Sequence, residues 1–423
     1  MERNENKHYI PRLADEVLMR KLDTFGAVLI DGCKWCGKTT TAEHAAKSVL
    51  KLQDPDKRES SLKFAEIKPS LLLQGDKPRL IDEWQDAPTL WDSIRSDIDE
   101  TAGIGRYILT GSATPLDKNK PLHSGTGRIA KLRMYPMSLF ESGESNGEVS
   151  LRDLADEKDV ASISPLSIED YARLAMRGGW PIAVIRNNRE SANMITKEYL
   201  SSLVNEDIQR ASGQKLSPTK ASLLLRSLAR NIAHPTKMSV IEADVNSSED
   251  VMTGRTIVEY VDVLKSLFVI DDVPAWIPEL RSKTAIRMSP KRCFADPSIA
   301  LAALNATDED LLNDFNTFGL VFENLCLRDL RVFAQYLGGE ITFYSDKNGL
   351  ECDAILHFSD GKWGAIEIKL GTNALIEDAV TNLLKLKEKT KVPPSFLMVL
   401  TGEKYAFRRP DGVYVVPLGC LKP

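Results

Sequence analysis

An eight-residue segment near the start of the sequence has the spacing of a phosphate-binding loop. It runs from Gly32 to Thr39 with Gly37 and Lys38 near its end, and the apolar run at 27–30 predicts a buried strand before it. Glycines let the backbone turn so that its N–H groups and the start of the next helix converge on phosphate oxygens. Lys38 would reach the β- and γ-phosphates of ATP, and the Thr39 hydroxyl would coordinate Mg²⁺. The residues predicted to contact the nucleotide are Gly32, Cys33, Lys34, Trp35, Cys36, Gly37, Lys38, Thr39, Thr40 and Ser112.

Two acids follow a second apolar strand, within the segment 79–85. Because ligands of parallel sheets lie at the carboxyl ends of the strands, Asp82 is predicted to hold Mg²⁺ through water and Glu83 to polarise an attacking water. The strand at 107–112 ends in hydroxyl groups, and Ser112 could orient that water or sense the γ-phosphate. An acid directly after the metal-binding Asp82 favours hydrolysis over phosphoryl transfer, which argues against a small-molecule kinase.

An arginine that contacts the transferred phosphate is the remaining catalytic candidate of this region. Arg128 follows the glycine-bearing segment 124–127 and could act in its own subunit or across a subunit interface. Arg106 and Arg133 compete for the same role. Action across an interface would require a homo-oligomer.

A second set of charged residues lies near the carboxyl terminus. The period of two along a strand places Glu367 and Lys369 on one face, and a turn at 359–362 makes their strand a neighbour of the strand that carries Asp353. Asp353 and Glu367 could share a Mg²⁺ while Lys369 positions or activates the water that attacks a phosphodiester. Glu323, on a preceding helix, could be a further acid.

The segment 217–285 predicts three helices followed by a hairpin, which is a winged-helix arrangement. DNA contact and a purely protein-binding role both remain open for it. The residues predicted to face DNA are Arg255, Thr256, Glu259, Tyr260, Arg281, Lys283, Arg287, Lys291 and Arg292.

The composition is that of a globular protein with several domains. The chain has 423 residues, 43% of them apolar and 27% charged, and a formal net charge of −5, which argues against a protein that coats nucleic acid generally. Six scattered cysteines do not suggest a disulfide framework. Because no apolar run reaches the ~20 residues of a membrane helix and the amino terminus lacks a secretory signal, we expect a cytoplasmic protein without a membrane partner.

The ordered motifs resemble those of the AAA-type ATPases of bacteria and archaea. The motifs are the phosphate loop, LIDE at 80–83, LTGS at 109–112, GR at 127–128, YPMSLFE at 135–141 and RGGWP at 177–181. The resemblance implies that a nuclease-related domain of unknown function follows the ATPase, and Asp353 with Glu367-x-Lys369 is similar to the PD-(D/E)XK nucleases. The loop departs from the family pattern because Trp35 and two cysteines replace an Arg-Gln-Val type of filling.

These features predict an α/β protein in which a P-loop NTPase parallel sheet with a helical lid precedes a winged helix and a PD-(D/E)XK-like α/β domain. The expected domains are an ATPase at 1–140, a helical lid region at 141–215 that contains a capping box at 167–170, a winged helix at 216–288 and the nuclease-like domain at 289–423. The favoured function is Mg²⁺-dependent ATP hydrolysis coupled to DNA binding or processing. The alternative is a nucleotide-controlled switch whose nuclease-like domain is inactive and binds protein.

Overall fold

In the computed structural model, the described part of the chain forms two compact units. The described residues are 9–112, 125–186, 188–213, 216–246, 252–278 and 288–423. The first unit contains the described residues up to Tyr135 together with 211–213 and 266–268, and the second contains the remainder.

A five-stranded parallel sheet forms the centre of the first unit. Its elements are α1 (Leu13–Leu22), β1 (Ala27–Asp31), α2 (Lys38–Ala45), β2 (Ser48–Lys51), α3 (Arg58–Ile67), β3 (Arg79–Asp82), α4 (Thr89–Thr101), β4 (Tyr107–Gly111) and β5 (Ile129–Arg133). The strand order is β2-β3-β4-β1-β5. The four leading residues of β1 and all of β4 are buried, as expected for central strands covered on both faces.

The strand register aligns the carboxyl ends of the three strands that bear on the phosphate loop. Ala27 of β1 lies opposite Tyr107 of β4 and Ile129 of β5, and Asp31 lies opposite Gly111 and Arg133. The segments that follow β1 and β4 therefore leave the sheet at the same edge. This is the edge at which ligands of parallel α/β sheets bind.

Helices account for most of the described residues in the range 149–336. After β6 (Val149–Ser150) come α5 (Leu151–Ala155), β7 (Ala161–Ile163), α6 (Ile168–Arg177), α7 (Pro181–Arg186), α8 (Arg189–Ser202), α9 (Ile208–Ser212), α10 (Pro218–Arg230), α11 (Met238–Val245), α12 (Gly254–Ser266), β8 (Ala275–Trp276), α13 (Pro297–Leu304), α14 (Asp308–Asn313) and α15 (Phe315–Tyr336). The predicted capping box is present at the start of α6, where the side chains of Ser167 and Asp170 each bond the other's backbone N–H. Within the described residues, no helix combines the length and the apolar character that crossing a membrane requires.

Two antiparallel chain segments follow the three helices α10, α11 and α12. Val273 and Lys291 exchange backbone hydrogen bonds of 3.0 Å in both directions, and Ile270 lies opposite Phe294. We call the segments 269–273 and 291–295 the ribbon. Three helices and then a ribbon is the predicted order. The winged-helix assignment itself stays a prediction.

An eight-stranded mixed sheet forms the carboxyl-terminal part of the second unit. Its further elements are β9 (Glu340–Ser345), β10 (Glu351–His357), β11 (Trp363–Lys369), α16 (Asn373–Lys389), β12 (Phe396–Thr401), β13 (Tyr405–Arg408) and β14 (Tyr414–Pro417), and β15 (Leu421–Lys422) pairs with β6. The strand order is β7-β13-β14-β12-β11-β10-β9-β8. The sheet therefore takes β7 and β8 from outside the range 289–423 predicted for this domain. The predicted domain boundaries stay predictions.

Candidate functional sites

The phosphate loop joins β1 to α2 and depends on two glycines. Gly32 has a φ of 148° and Gly37 a φ of 101°, values that residues with a Cβ rarely adopt. A Cβ on Gly32 would lie only 2.2 Å from the carbonyl oxygen of Met134. The loop thus passes close to the backbone that follows β5, in a path that only glycine allows at position 32.

Lys38 places its ammonium group inside this loop. Its Nζ donates to the carbonyl oxygens of Gly32, at 2.9 Å, and Cys33, at 2.7 Å, and the residue is only 6% exposed. Both acceptors are neutral carbonyls. A phosphate would be a stronger acceptor for the same donor, because hydrogen bonds between charged groups are the stronger kind.

Arg12, which the sequence did not single out, braces the loop. One guanidinium nitrogen donates to the carbonyl oxygen of Cys36 and another to that of Tyr135, both at 2.9 Å, and the side chain is buried. Because both acceptors are backbone groups, neither residue type nor spacing could have indicated this contact.

The side chains in the middle of the phosphate loop differ in their exposure to solvent. Cys33 and Cys36 are buried free thiols, whereas Trp35 is 46% exposed. Burial opposes ionisation of Cys36, but a hydrogen bond from Cys33 and the charge of Lys38 outweigh it and lower the pKa of Cys36 to about 6. A contact between the exposed ring of Trp35 and a nucleotide stays a prediction.

A chain of hydrogen bonds connects α2 to the ends of β3 and β4. Asp82 Oδ1 accepts from the Thr39 hydroxyl, at 2.8 Å, and from the Thr110 hydroxyl, at 2.6 Å. The backbone N–H of Glu83 donates to the Thr110 hydroxyl oxygen at 3.2 Å. The hydroxyl and carboxylate that the sequence assigned to Mg²⁺ are thus in direct contact, and hard oxygen donors of this kind suit Mg²⁺.

Glu83 lies at the end of this chain in a constrained conformation. Its φ is 58°, in the left-handed region that non-glycine residues adopt rarely. Its Oε2 accepts from the Ser112 hydroxyl, at 3.1 Å, and from the Gln85 side-chain amide. Both described hydrogen bonds to this carboxylate end on Oε2, so Oε1 is the oxygen that can accept from a water.

Two of the three candidate arginines lie at the edge of the sheet where the strands begin, and the third lies at the edge where they end. Arg128 directly precedes β5 and Arg106 precedes β4, and they pair with Asp99 and Asp97, respectively. The phosphate loop follows the other end of β1, about 13 Å along the strands. A catalytic role for Arg128 within its own subunit is therefore not supported, and a role across an interface stays a prediction.

Arg133 is the arginine at the edge where the loop lies. It closes β5, its Nε donates to Asp31 Oδ1 at 2.8 Å, and its guanidinium lies 4.1 Å from the centre of the Phe268 ring. From the sequence, Arg133 was only an alternative to Arg128 as the arginine that contacts the transferred phosphate. The direction of β5 distinguishes the two arginines, because Arg128 precedes the strand and Arg133 is its last residue.

The second candidate site brings together Asp353, Glu367 and Lys369, as the strand periods predicted. Lys369 Nζ lies 3.1 Å from Asp353 Oδ2 and 2.8 Å from Glu367 Oε2, and the N–H of Ile368 donates to Asp353 Oδ2 at 2.9 Å. Glu323 reaches the same place from α15 through an ion pair with Lys291.

Lys291 is the unexpected member of this group. Besides its contact with Glu323, its Nζ donates to Asp353 Oδ1 at 3.2 Å and to the carbonyl oxygen of Asp353 at 3.3 Å. We call Lys291, Glu323, Asp353, Glu367 and Lys369 the ionic cluster. Three carboxylates against two ammonium groups give it a formal charge of −1. Among the described residues, no group of three or more His, Cys, Asp or Glu has the arrangement of a metal site. The assignment of Mg²⁺ to Asp353 and Glu367 stays a prediction that this placement of Lys291 argues against.

The acids of the cluster differ in their ionisation. Burial, and then the charge of Asp353, raise the pKa of Glu367 to about 8 and that of Glu323 to about 7. Burial would raise the pKa of Asp353 too, but the charges of Lys291 and Lys369 outweigh it and hold that pKa far below its usual value. Asp353 is therefore the carboxylate that balances both lysines.

Several residues predicted to contact DNA are engaged elsewhere. Lys291 is 5% exposed and Arg292 is 6% exposed, and Arg292 pairs with Asp272 at 2.6 Å. Tyr260 is buried, and its hydroxyl oxygen accepts from the N–H of Ser217. Assigning these three to DNA is wrong, because each is buried and bonded within the unit. Arg255 and Glu259 are exposed on α12, Thr256 is half-buried there, and Arg281, Lys283 and Arg287 lie outside the described residues.

The motifs at 135–141 and 177–181 each donate a hydrogen bond to a buried group of charged residues. We call this group, which consists of Asp296, Arg328 and Asp329, the buried hub. The guanidinium of Arg328 donates to Asp296 Oδ2 at 3.0 Å and to Asp329 Oδ1 at 2.7 and 2.9 Å, and all three residues are at most 1% exposed. Asp296 also accepts from the N–H of Gly179, and Asp329 from that of Leu139, both at 2.8 Å. Each motif thus supplies one backbone N–H group that bonds a buried carboxylate of the hub.

Three family models match separate parts of the chain. Residues 24–142 match a family described as an AAA domain. Residues 168–310 and 318–421 match two families that are each described as a domain of unknown function, DUF8612 and DUF4143. The first match supports a P-loop ATPase family for the amino-terminal segment, in agreement with the loop geometry.

Two mycobacterial proteins are similar to this chain over most of its length, and a solved structure is similar to part of it. The chain is 22% identical over 402 residues to Uncharacterized protein Rv2008c of Mycobacterium tuberculosis and to Uncharacterized protein Mb2031c of Mycobacterium bovis, with 95% of this chain and 82% of each relative covered. The Walker-type ATPase paby2304 of Pyrococcus abyssi is 14% identical with a TM-score of 0.43, covering 72% of this chain and 98% of that one.

Proposed function

We propose that this chain is a Mg²⁺-dependent ATPase whose active site is the phosphate loop and the ends of β3 and β4. The observation that carries the proposal is the continuous hydrogen-bonded series from Thr39 through Asp82 and Thr110 to Glu83. This series joins the proposed metal ligands to the proposed base, next to the phosphate loop. The AAA-domain match over the same residues supports it.

Each part of the site has one task in this proposal. Lys38 and the backbone N–H groups of the loop bind and orient the phosphates, and α2 presents its positive amino terminus to them. Thr39 and Asp82 would hold Mg²⁺, which neutralises charge on the phosphate oxygens. Trp35 contacts the nucleotide from the loop surface, and Arg133 is the one of the three candidate arginines that lies at the loop's edge of the sheet.

Glu83 prepares the attacking water. Its Oε2 is held by Ser112 and Gln85, and this fixes the carboxylate while Oε1 accepts a proton from the water. The proton moves from the water to Glu83 as the water oxygen attacks the γ-phosphorus. The bond from the γ-phosphorus to the oxygen that bridges it to the β-phosphate breaks, and ADP and inorganic phosphate leave. The left-handed backbone conformation of Glu83 is in keeping with the strain often found at catalytic residues.

Loss of the Thr39 hydroxyl tests the metal assignment. We expect Thr39→Ala to raise the Mg²⁺ concentration for half-maximal ATP hydrolysis by ~10-fold or more, because metal-ligand contacts are worth at least that much. Phosphate release is measured across a Mg²⁺ titration and in EDTA, where wild-type release should stop. Thr24→Ala, an exposed threonine before β1, is the matched control. An unchanged Mg²⁺ requirement in Thr39→Ala would contradict the assignment.

In this proposal the carboxyl-terminal domain is a binding domain under the control of the nucleotide, and it is not a nuclease. The observation that favours this second function is the ammonium of Lys291 among the acids. ATP binding and hydrolysis would then control what the domain binds, whether DNA or protein. The chain could act alone or as a homo-oligomer in which Arg128 serves a neighbouring site.

DNA as the partner gives a separate prediction. If α12 contacts DNA, duplex, branched or single-stranded DNA stimulates ATP hydrolysis several-fold and Arg255→Ala removes most of that stimulation, because Arg255 is the exposed described arginine on this helix. Arg230→Ala, at the exposed end of α10, is the control. Equal hydrolysis rates with and without every DNA would exclude DNA as the effector and leave a protein partner.

A further inference from the structure

We propose that the ammonium group of Lys291 takes the place of a divalent cation in the ionic cluster, and that removing Lys291 opens a metal site on Glu323, Asp353 and Glu367. The carboxyl-terminal domain of the wild-type chain would then work without a metal. The inference concerns only the second unit. It does not depend on whether the phosphate loop hydrolyses ATP.

The position of Lys291 is the first argument. Its Nζ contacts the Glu323 carboxylate and two oxygens of Asp353, at 3.2 and 3.3 Å. Mg²⁺ and Ca²⁺ bind carboxylate oxygens at about 2.0–2.6 Å. An ion bridging Glu323 and Asp353 would have to occupy the space in which this ammonium lies.

The fixation of Lys291 is the second argument. Its backbone exchanges two hydrogen bonds of 3.0 Å with Val273 across the ribbon, so its Cα is held in a paired strand segment. The residue is 5% exposed, so the side chain has little solvent-facing space into which to turn. An arriving metal could not displace the ammonium without disturbing the ribbon.

Charge is the third argument. With both lysines present, a divalent cation would bring the positive charges of the cluster to four, against at most three negative charges on its carboxylates. Uncompensated buried charge is strongly unfavourable. Without Lys291 the formal charge is −2, which one divalent cation neutralises. The carboxylates of Glu323, Asp353 and Glu367 are the oxygen ligands that Mn²⁺, Mg²⁺ and Ca²⁺ prefer.

The test is a calorimetric titration of nucleotide-free protein with MnCl₂. We expect wild type and Asp353→Asn to give the same binding curve, since the cluster of the wild-type chain takes up no Mn²⁺. We expect Lys291→Ala to bind an additional Mn²⁺, and Mn²⁺ to raise its melting temperature by roughly 5 °C through mass action. Asp353→Asn added to Lys291→Ala should abolish both effects. Lys385→Ala, an exposed lysine of α16, is the matched control and should gain nothing.

Two results would overturn the inference. One is Mn²⁺ binding by the wild-type protein that Asp353→Asn removes, because the ammonium would then not exclude a metal. The other is a folded Lys291→Ala protein that binds no more Mn²⁺ than wild type. If Lys291→Ala does not fold, the comparison of wild type with Asp353→Asn decides alone.

Discussion

Replacing Glu83 by Gln lowers the rate of ATP hydrolysis roughly 10²- to 10⁴-fold, the usual contribution of a general base. Glutamine keeps the size of the side chain and can still bond Ser112, but it cannot accept the proton of the attacking water. Nucleotide affinity should stay within about threefold of wild type, because Lys38 and the loop backbone are unchanged. Phosphate release under saturating Mg·ATP and equilibrium binding of a fluorescent ATP analogue give the two quantities.

Two companion variants make this result interpretable. Lys38→Ala gives the background from contaminating ATPases, since it removes the ammonium held inside the loop. Glu66→Gln changes an exposed glutamate on α3 in the same way and should hydrolyse ATP at the wild-type rate. If Glu83→Gln retains more than about a tenth of the wild-type rate, another group activates the water, and the role assigned to Glu83 is wrong.

Replacing Arg328 by Met destabilises the second unit by about 3–5 kcal/mol, the usual cost of removing one partner from a buried ion pair. Methionine fills much of the space but leaves the carboxylates of Asp296 and Asp329 buried without their cation. These carboxylates also accept from the N–H groups of Gly179 and Leu139, so they cannot leave. Denaturant unfolding followed by tryptophan fluorescence measures the loss, and Trp180 is buried close by, bonded to Ser298.

The loss of folding stability caused by Arg328→Met should increase as the pH rises. In the wild-type chain burial raises the pKa of Asp329 to about 6, although Arg328 opposes this. Without Arg328 the pKa of Asp329 in the folded state rises further above its value in the unfolded chain. Between these two pKa values the folded state holds a proton that the unfolded chain has lost. Folding stability therefore falls as the pH increases through this interval, which is wider in the variant. The gap between variant and wild type should therefore be larger at pH 8 than at pH 5. Arg230→Met, an exposed ion-paired arginine on α10, should lose at most about 1 kcal/mol, and an equal loss in both variants would contradict the buried-hub account.

The placement of the phosphate loop beside Asp82 and Glu83 could be predicted because the residues that determine it are local in sequence. The glycines of the loop, Lys38 and Thr39 lie within eight residues, and Asp82 and Glu83 end a recognisable strand. Strand direction then brings them to one edge. The same rule, applied to Arg128 and Arg133, would have separated the two arginines, since one precedes and the other ends the same strand.

The carboxyl-terminal cluster could be predicted only in part. Its period of two brought Asp353, Glu367 and Lys369 together correctly. Lys291 was assigned to DNA because basic residues in a predicted wing are usually exposed. Its carboxylate partners Glu323 and Asp353 lie 32 and 62 residues further along the chain, and no local pattern connects them.

The buried hub escaped prediction for a related reason. Asp296, Arg328 and Asp329 are charged residues, which are rarely fully buried unless they are paired. Their pairing depends on how α15 packs against the start of α13 and on backbone N–H groups at Leu139 and Gly179. The motifs at 135–141 and 177–181 carried a family resemblance, but their contacts with the hub are made by backbone N–H groups, which residue type does not reveal.

The identity of the nucleotide left on the protein tests the central claim most directly. Wild type and Glu83→Gln are incubated with Mg·ATP, passed rapidly through a desalting column, denatured, and analysed by chromatography for ATP and ADP. The account predicts ADP on the wild-type protein with phosphate released, and intact ATP on Glu83→Gln. Intact ATP on both proteins, or ADP formed equally fast on both, would contradict hydrolysis by Glu83 at the phosphate loop.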